Sequence, residues 1–278
     1  MSDSTTRLLS AEALRRELSV RNLLRAQEGH VHEQTFGTTP SVLYAPGEQG
    51  SHGNFLAASY KRILADPDWS ARLEKAYTSS HRVPRAHDRR RAELDCAASS
   101  DALLMNVFCY PGMTRRSAVC TLLGIEHGHR PDFGVRALLP MARGEVDRTE
   151  IDMKLGDLLV EAKLTEGGFG AVARERALRY QGITELIDLD GLPSSGKGIA
   201  GWQLIRGVLS AFHHNSRFIV LCDARRGDLH EAWFRTLTAV RGSDLRSRLG
   251  LVTWQEVASV VPRTVAGFLA TKYGILGR

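Results

Sequence analysis

Asp152, Glu161 and Lys163 stand close together in the stretch TEIDMKLGDLLVEAKLTE, residues 149 to 166. Gly156-Asp157 in its middle is a favoured two-residue hairpin turn, with glycine at the first central position. That turn sets Asp152 opposite Glu161 and Glu150 opposite Lys163. Strand alternation then gathers Glu150, Asp152, Lys154, Leu159, Glu161 and Lys163 on one face. The other face receives Ile151, Met153, Leu155, Leu158, Val160, Ala162 and Leu164 and is wholly apolar. Opposed positions in such a pair have Cβ atoms roughly 5 Å apart, so Asp152 and Glu161 can share one divalent cation. Mg²⁺ takes oxygen ligands and needs only one or two carboxylates besides water and phosphate. A cation so held can activate water and stabilise the transition state of phosphodiester hydrolysis. Lys163 points the same way, where its ammonium can orient the water or neutralise developing charge.

A blander reading fits the same residues. The [DE]-x-K pattern is short enough to recur by chance in a chain of this length, and Asp152-Met153-Lys154 is a second match. Carboxylate–lysine pairs are also common on solvated hairpin faces.

The elements around the hairpin are those of an α/β domain. Leucines at helical spacing predict a surface helix over 11–27, and 56–76 reads as helical with a restart at Asp66-Pro67-Asp68. Residues between them are irregular. The run LLMNVFCY, preceded by Ser99, Ser100 and Asp101 as candidate caps, predicts a helix within 94–110. A short helix is expected over 115–126. From Pro131 onward the pattern gives a strand over 133–139, the hairpin over 148–164, and helices over 171–187 and 198–213. A buried strand follows over 218–222, then a helix over 229–240 and a strand over 251–254. This order predicts a mixed central sheet flanked by helices. The domain reading is a mainly helical and irregular N-terminal elaboration over 1–93, with its basic loop, and a catalytic core over 94–278.

The hairpin resembles the core of the PD-(D/E)XK, or restriction-endonuclease-like, nuclease superfamily. Asp152 stands at the metal-binding aspartate and Glu161-Ala162-Lys163 at the E-x-K. The segments SSDALLMNVF, LLGIEHG, PDFGVRALLP, TEIDMKL and LLVEAKLTE are similar to a bacterial branch of that superfamily over roughly residues 95 to 260. Ile151 stands where the motif name has proline, and the literal Pro131-Asp132 comes too early to pair with Glu161. The resemblance implies a Mg²⁺-dependent endonuclease, with Mn²⁺ as substitute, acting on nucleic acid and on DNA in particular. Restriction, repair and defence are all compatible roles. The resemblance also implies two further site residues: Glu126, from the helix before the first core strand, and Gln203, from the helix after the E-x-K strand, which fits better than Gln181. A solvated helix end and an ordinary polar helix face are the alternatives for these two.

The whole chain agrees with such a partner without requiring it. It has 278 residues, 43% hydrophobic and 24% charged, with a net charge of +6 and a pI near 9.3. A basic excess favours polyanions. Arg82, Arg85, Arg89, Arg90 and Arg91 crowd one polar stretch, readable as a phosphate-gripping loop or as a solvated linker. Cys96, Cys109, Cys120 and Cys222 form no C-x-x-C pair, so buried thiols are expected and zinc is not. No apolar run approaches the roughly 18 residues that span a bilayer, and the N-terminus lacks a signal-peptide core. A cytoplasmic protein without membrane contact is the default.

Two rivals come from other classes. Gly191 to Lys197 matches most of a nucleotide-binding G-x-x-x-x-G-K loop, but Gly198 replaces the Ser/Thr that should bind Mg²⁺. A nuclease-fold binding module without activity of its own is the other, though all three catalytic positions are filled. His213-His214-Asn215 ends a helix and reads as structural. Double-strand cleavage needs two sites, so a homodimer is expected on mechanism.

Overall fold

A computed structural model describes residues 8–35, 40–75, 92–196 and 198–277. Its contacts divide the chain into two compact units: residues 130–253 together with Leu8, and residues 9–129 with 254–278. The 93/94 boundary expected from sequence falls inside the second of these.

The first unit is built on a five-stranded mixed sheet. Its strands are β1 (Asp132–Arg136), β2 (Glu150–Leu155), β3 (Leu158–Ala162), β4 (Arg217–Cys222) and β5 (Leu249–Thr253), in spatial order β5-β4-β3-β2-β1. β1, β2 and β3 form an antiparallel meander, while β4 runs parallel to both β3 and β5. Parallel neighbours need helical crossovers. Helix α1 (Trp202–His213) supplies the one between β3 and β4, and α2 (Gly227–Ala239) the one between β4 and β5. Leu204, Ile205, Val208 and Leu209 of α1 belong to one apolar cluster with Leu159, Phe218 and Val220 of the sheet. Gly207 of α1 lies so close to Phe218 that a Cβ there would fall 2.2 Å from the ring.

The predicted hairpin is present with its predicted register. Leu155 faces Leu158, Lys154 faces Leu159 and Met153 faces Val160, with Gly156 at φ +59 in the turn. Every residue of β3 is buried. Glu161 is therefore out of solvent, whereas Glu150, Asp152 and Lys154 of β2 are half-buried.

Other expectations shift. The strand expected over 133–139 stops at Arg136, because Leu138 adopts φ +50 and turns the chain. It resumes as a small ladder pairing Leu139–Pro140 with Val146–Asp147. The helix expected over 171–187 is reduced to Arg174–Ala177 and Ile183–Leu186, separated by Gly182 at φ +77. Helix α1 starts at Trp202 rather than 198, since Gly198 and Gly201 take φ of +106 and +76. Residues Gly198–Ala200 instead form a strand between Ala171–Val172 and Ser194–Ser195. The glycine-rich rival is thus built as a β-hairpin, four residues short of the next helix, and lacks the loop-to-helix geometry that cradles phosphate. Lys197 itself lies outside the described residues.

The second unit contains the helix Ala11–Gln27 at its predicted bounds, capped by Ser10. Two more helices, Ala57–Ala65 and Pro67–Ala71, restart at Asp66, whose side chain accepts from the Asp68 and Trp69 N–H groups. The segment read as irregular contains a short antiparallel pair, His32–Gln34 with Val42–Tyr44. Helix Ser100–Phe108, capped by Ser99, is buried all round, as its apolar run requires. Lys272 is fully buried in this unit, donating to the Ala97 carbonyl at 3.0 Å with its ammonium 4.2 Å from the Tyr273 ring centre. All four cysteines are buried, and none is in a disulfide. No described helix is long and apolar enough to cross a membrane.

Candidate active site

The site grows from the end of the β2–β3 ladder. The paired ladder ends at Met153–Val160, and Asp152 and Glu161 follow directly beyond it on their two strands. There the Asp152 carboxylate accepts the Ala162 N–H at 2.7 Å. An aspartate fixed by the backbone of the facing strand loses little entropy in holding one rotamer. On its other flank β1 sets Gly134, at φ +66, between the pairs Phe133–Met153 and Val135–Ile151. The position beside Asp152 therefore carries no side chain.

Glu161 sits beside Val220 of β4, and Lys163 extends the parallel pairing by donating its N–H to the Leu221 carbonyl at 2.8 Å. The Lys163 ammonium lies 2.5 Å from a Glu161 carboxylate oxygen, each side chain only 6% exposed, and 5.7 Å from the centre of the Phe169 ring. Burial alone would pull the lysine down, but Glu161, Asp152 and Glu166 together outweigh it and raise it above its ordinary value. Two carboxylates and one cationic group are thus held on one face of the sheet.

The segment leaving β3 is clamped by a residue that sequence reasoning missed. Arg226, just before α2 and 0% exposed, donates to the Leu164 carbonyl at 2.9 Å and the Glu166 carbonyl at 2.8 Å. The same guanidinium pairs with Asp228 at 2.8 Å. Glu166 in turn accepts the Leu164 N–H at 2.6 Å. An arginine next to an aspartate on a polar loop gives no local signal that it will be buried. Only the long-range packing brings it to the lysine's exit.

Helix α1 brings Gln203 to the site. Its backbone N–H is held by the Phe169 carbonyl at 2.9 Å, and its side chain lines one small cavity with Glu161, Arg206, Glu150 and Asp147. Asp147 closes that cavity, accepting from Tyr180 Oη at 2.7 Å and the Thr149 N–H at 2.8 Å, with Arg206 at 3.7 Å. Burial pushes its carboxyl up, but these hydrogen bonds reverse the effect and leave it below its ordinary value. Burial beside this carboxylate pushes Tyr180 up to about 12. Gln181 is elsewhere, its amide on the Met141 carbonyl.

Glu126 is not on a helix as expected. Gly124 at φ +62 ends helix Ser117–Leu123 early, and the Glu126 side chain, in the second compact unit, is 93% exposed beside His129. Arg82, Arg85, Arg89, Arg90 and Arg91 lie outside the described residues. His213 and His214 bond the Gln181 and Ala137 carbonyls and serve structure.

As for a metal, no group of three or more Asp, Glu, His or Cys among the described residues is arranged to hold one. The donors at hand, Asp152 and Glu161, are hard oxygens. They suit an ion such as Mg²⁺ that completes its shell with water and phosphate.

Comparison with curated proteins and with solved structures gave no match. The family model described as "Restriction Endonuclease associating with ARP" matches residues 27–274. That span takes in the whole sheet, the β2–β3 hairpin and both crossover helices, and the chain belongs to this restriction-endonuclease family.

Proposed function

We propose that the chain is a metal-dependent endonuclease that hydrolyses phosphodiester bonds in DNA. The observation that carries this reading is the joint placement of Asp152, Glu161 and Lys163 on one sheet face, with Asp152 tied to the residue between the other two. Asp152 and Glu161 would hold Mg²⁺, or Mn²⁺ in its place. When bound, the ion would supply a water nucleophile and charge stabilisation.

The residues' own work follows from their surroundings. Lys163 would act as an ammonium group beside the carboxylates. It would offer a fixed positive charge where the phosphate gains negative charge. Gln203, on the rim of the same cavity as Glu161, would orient water or phosphate through its amide. Arg82, Arg85, Arg89, Arg90 and Arg91 would grip backbone phosphate. Cleavage of both strands would require two copies of the chain, so we propose a homodimer on the substrate. The family's description also names an association with ARP, and we extend that association to this chain.

The test is cleavage of supercoiled plasmid by purified protein with Mg²⁺, Mn²⁺ or EDTA, beside Asp152→Asn and Lys163→Met. Metal-dependent nicking lost in both variants is expected. Cleavage surviving both would overturn the assignment of the site. Absence of cleavage by the wild type under every metal would overturn the reading of an enzyme active alone.

A further inference from the structure

The hairpin between β1 and β2, residues 137–149, contains Leu138 and Arg143, two of the three non-glycine residues with positive φ among the described residues. Arg143 has φ +62, the left-handed region, where any side chain bearing a Cβ pays roughly 1–2 kcal/mol that glycine avoids. Its neighbour Gly144 also has φ +74, so glycine is at hand at this tip. An arginine held there at a cost should contribute something through its side chain. Within the described protein that side chain is exposed, with no hydrogen bond or ion pair. Arg136 and Arg148, at the base of the hairpin, are also exposed and also without a guanidinium partner.

The acids of the same segment behave in the opposite way. Glu145 pairs with Arg179, and Asp147 is satisfied by Tyr180, Thr149 and Arg206. The negative charges are consumed internally and the three arginines are not. The scaffold beneath is firm. The Ala142 N–H donates to the Arg179 carbonyl and the Gln181 N–H to the Pro140 carbonyl, while Met141 bridges to Tyr180. The base of the hairpin leads straight into the site. Arg136 is the register partner of Glu150, and Glu150 shares a cavity with Glu161.

We infer that this hairpin is a phosphate clamp: Arg136, Arg143 and Arg148 grip the backbone of the DNA duplex whose bond is presented to Asp152 and Glu161. The assignment rests on the nuclease reading above. Guanidinium groups suit phosphate oxygens in number and geometry, and a preformed scaffold spares the ordering cost. Contacts of this kind position the substrate and carry no sequence information.

Binding of a mixed-sequence DNA duplex is measured in EDTA by fluorescence anisotropy over a range of salt. Wild type is compared with Arg136→Gln/Arg143→Gly/Arg148→Gln and with Arg143→Lys. Each lost phosphate contact lowers the salt slope by about 0.9. The triple variant is therefore expected to lose about two to three units of slope and at least tenfold in affinity. Its thermal midpoint should stay at or above that of wild type, because glycine relieves residue 143. Arg143→Lys should retain most of the slope. A triple variant that binds with wild-type slope and affinity overturns the clamp, and so does a wild type that binds no duplex. If such a triple variant also cleaves plasmid, the clamp falls and the nuclease reading stands. If the slope drops as expected but the wild type fails to cleave plasmid with Mg²⁺ or Mn²⁺, the clamp stands and the nuclease reading falls.

Discussion

The Asp152 carboxylate accepts the N–H of Ala162 at 2.7 Å, so the residue between Glu161 and Lys163 is what fixes the aspartate. Two roles are thereby joined in one side chain: one oxygen completes the sheet's hydrogen bonding, and the carboxylate is also the candidate metal ligand. The two can be separated. Asp152→Ala leaves a part-buried N–H unsatisfied, at a cost of about 1–3 kcal/mol. Asp152→Asn keeps an acceptor oxygen and should recover most of that, yet lose the charge a cation needs. The expected result is an asparagine variant with a near-native urea midpoint and no plasmid cleavage. An active asparagine variant would remove Asp152 from the metal site.

Lys163 and Glu161 form a pair almost out of water. Removing one partner of such a pair strands the other charge, and costs about 3–5 kcal/mol. Lys163→Met should destabilise strongly, Glu161→Gln less because Asp152 and Glu166 still face the lysine, and the double variant should lose less than the sum. Chemical denaturation of the four proteins measures the coupling. Additive losses would mean that the ion pair does not hold in solution.

The hairpin and its register were legible in sequence because both signals are local: a Gly-Asp turn and an alternation through residues 150–162 that only Leu159 interrupts. The burial of Glu161 and Lys163 was not, since alternation names a face without saying what covers it. That answer comes from α1 and β4, which begin only at Trp202 and Arg217. The helix start at Trp202 and the helix end at Leu123 were missed for a related reason. Gly198, Gly201 and Gly124 take positive φ, and a glycine does not announce in sequence whether it will use that freedom. Asp147 ends a two-residue strand and Arg226 stands in a loop, both ordinary by type. Their partners Tyr180, Arg206, Leu164 and Glu166 come from distant segments, so their roles exist only in the fold.

Arg226 anchors the segment that follows Lys163 by donating to two of its carbonyls. Arg226→Lys keeps the charge but cannot reproduce the planar fork. It should lower kcat of plasmid cleavage, on the order of tenfold, with little change in KM for DNA, since small displacements of catalytic groups are felt in the transition state. Loss of DNA affinity with unchanged kcat would contradict a positioning role.

Asp147 offers a test through pH. Its folded carboxyl lies below the ordinary value because of Tyr180, Thr149 and Arg206. Its contribution to stability is therefore present above the ordinary carboxylate pKa and is lost as pH falls through the folded value. Tyr180→Phe removes one hydrogen bond, and costs about 1 kcal/mol near neutral pH. The missing stabilisation should shrink as pH is lowered from about 6 to about 3. A deficit that stays constant across that range would show that the Tyr180 hydroxyl does not act through the Asp147 charge.

Lys272 gives the opposite sign. Burial, followed by the nearby Arg25, holds its ammonium well below the ordinary lysine value. The unfolded chain therefore binds the proton more readily than the folded one, and stability at this position rises with pH between the two values. Its one described hydrogen bond goes to the Ala97 carbonyl, which a neutral amine can still satisfy. Lys272→Met removes the titrating group and keeps the apolar stem that packs by Tyr44 and Tyr273. Against wild type, the variant should gain stability steadily as pH falls below the ordinary lysine range. Urea midpoints of both proteins at a series of pH values measure the difference. Parallel curves would mean that Lys272 is protonated alike in both states, and that water or a counter-ion reaches it in the folded protein.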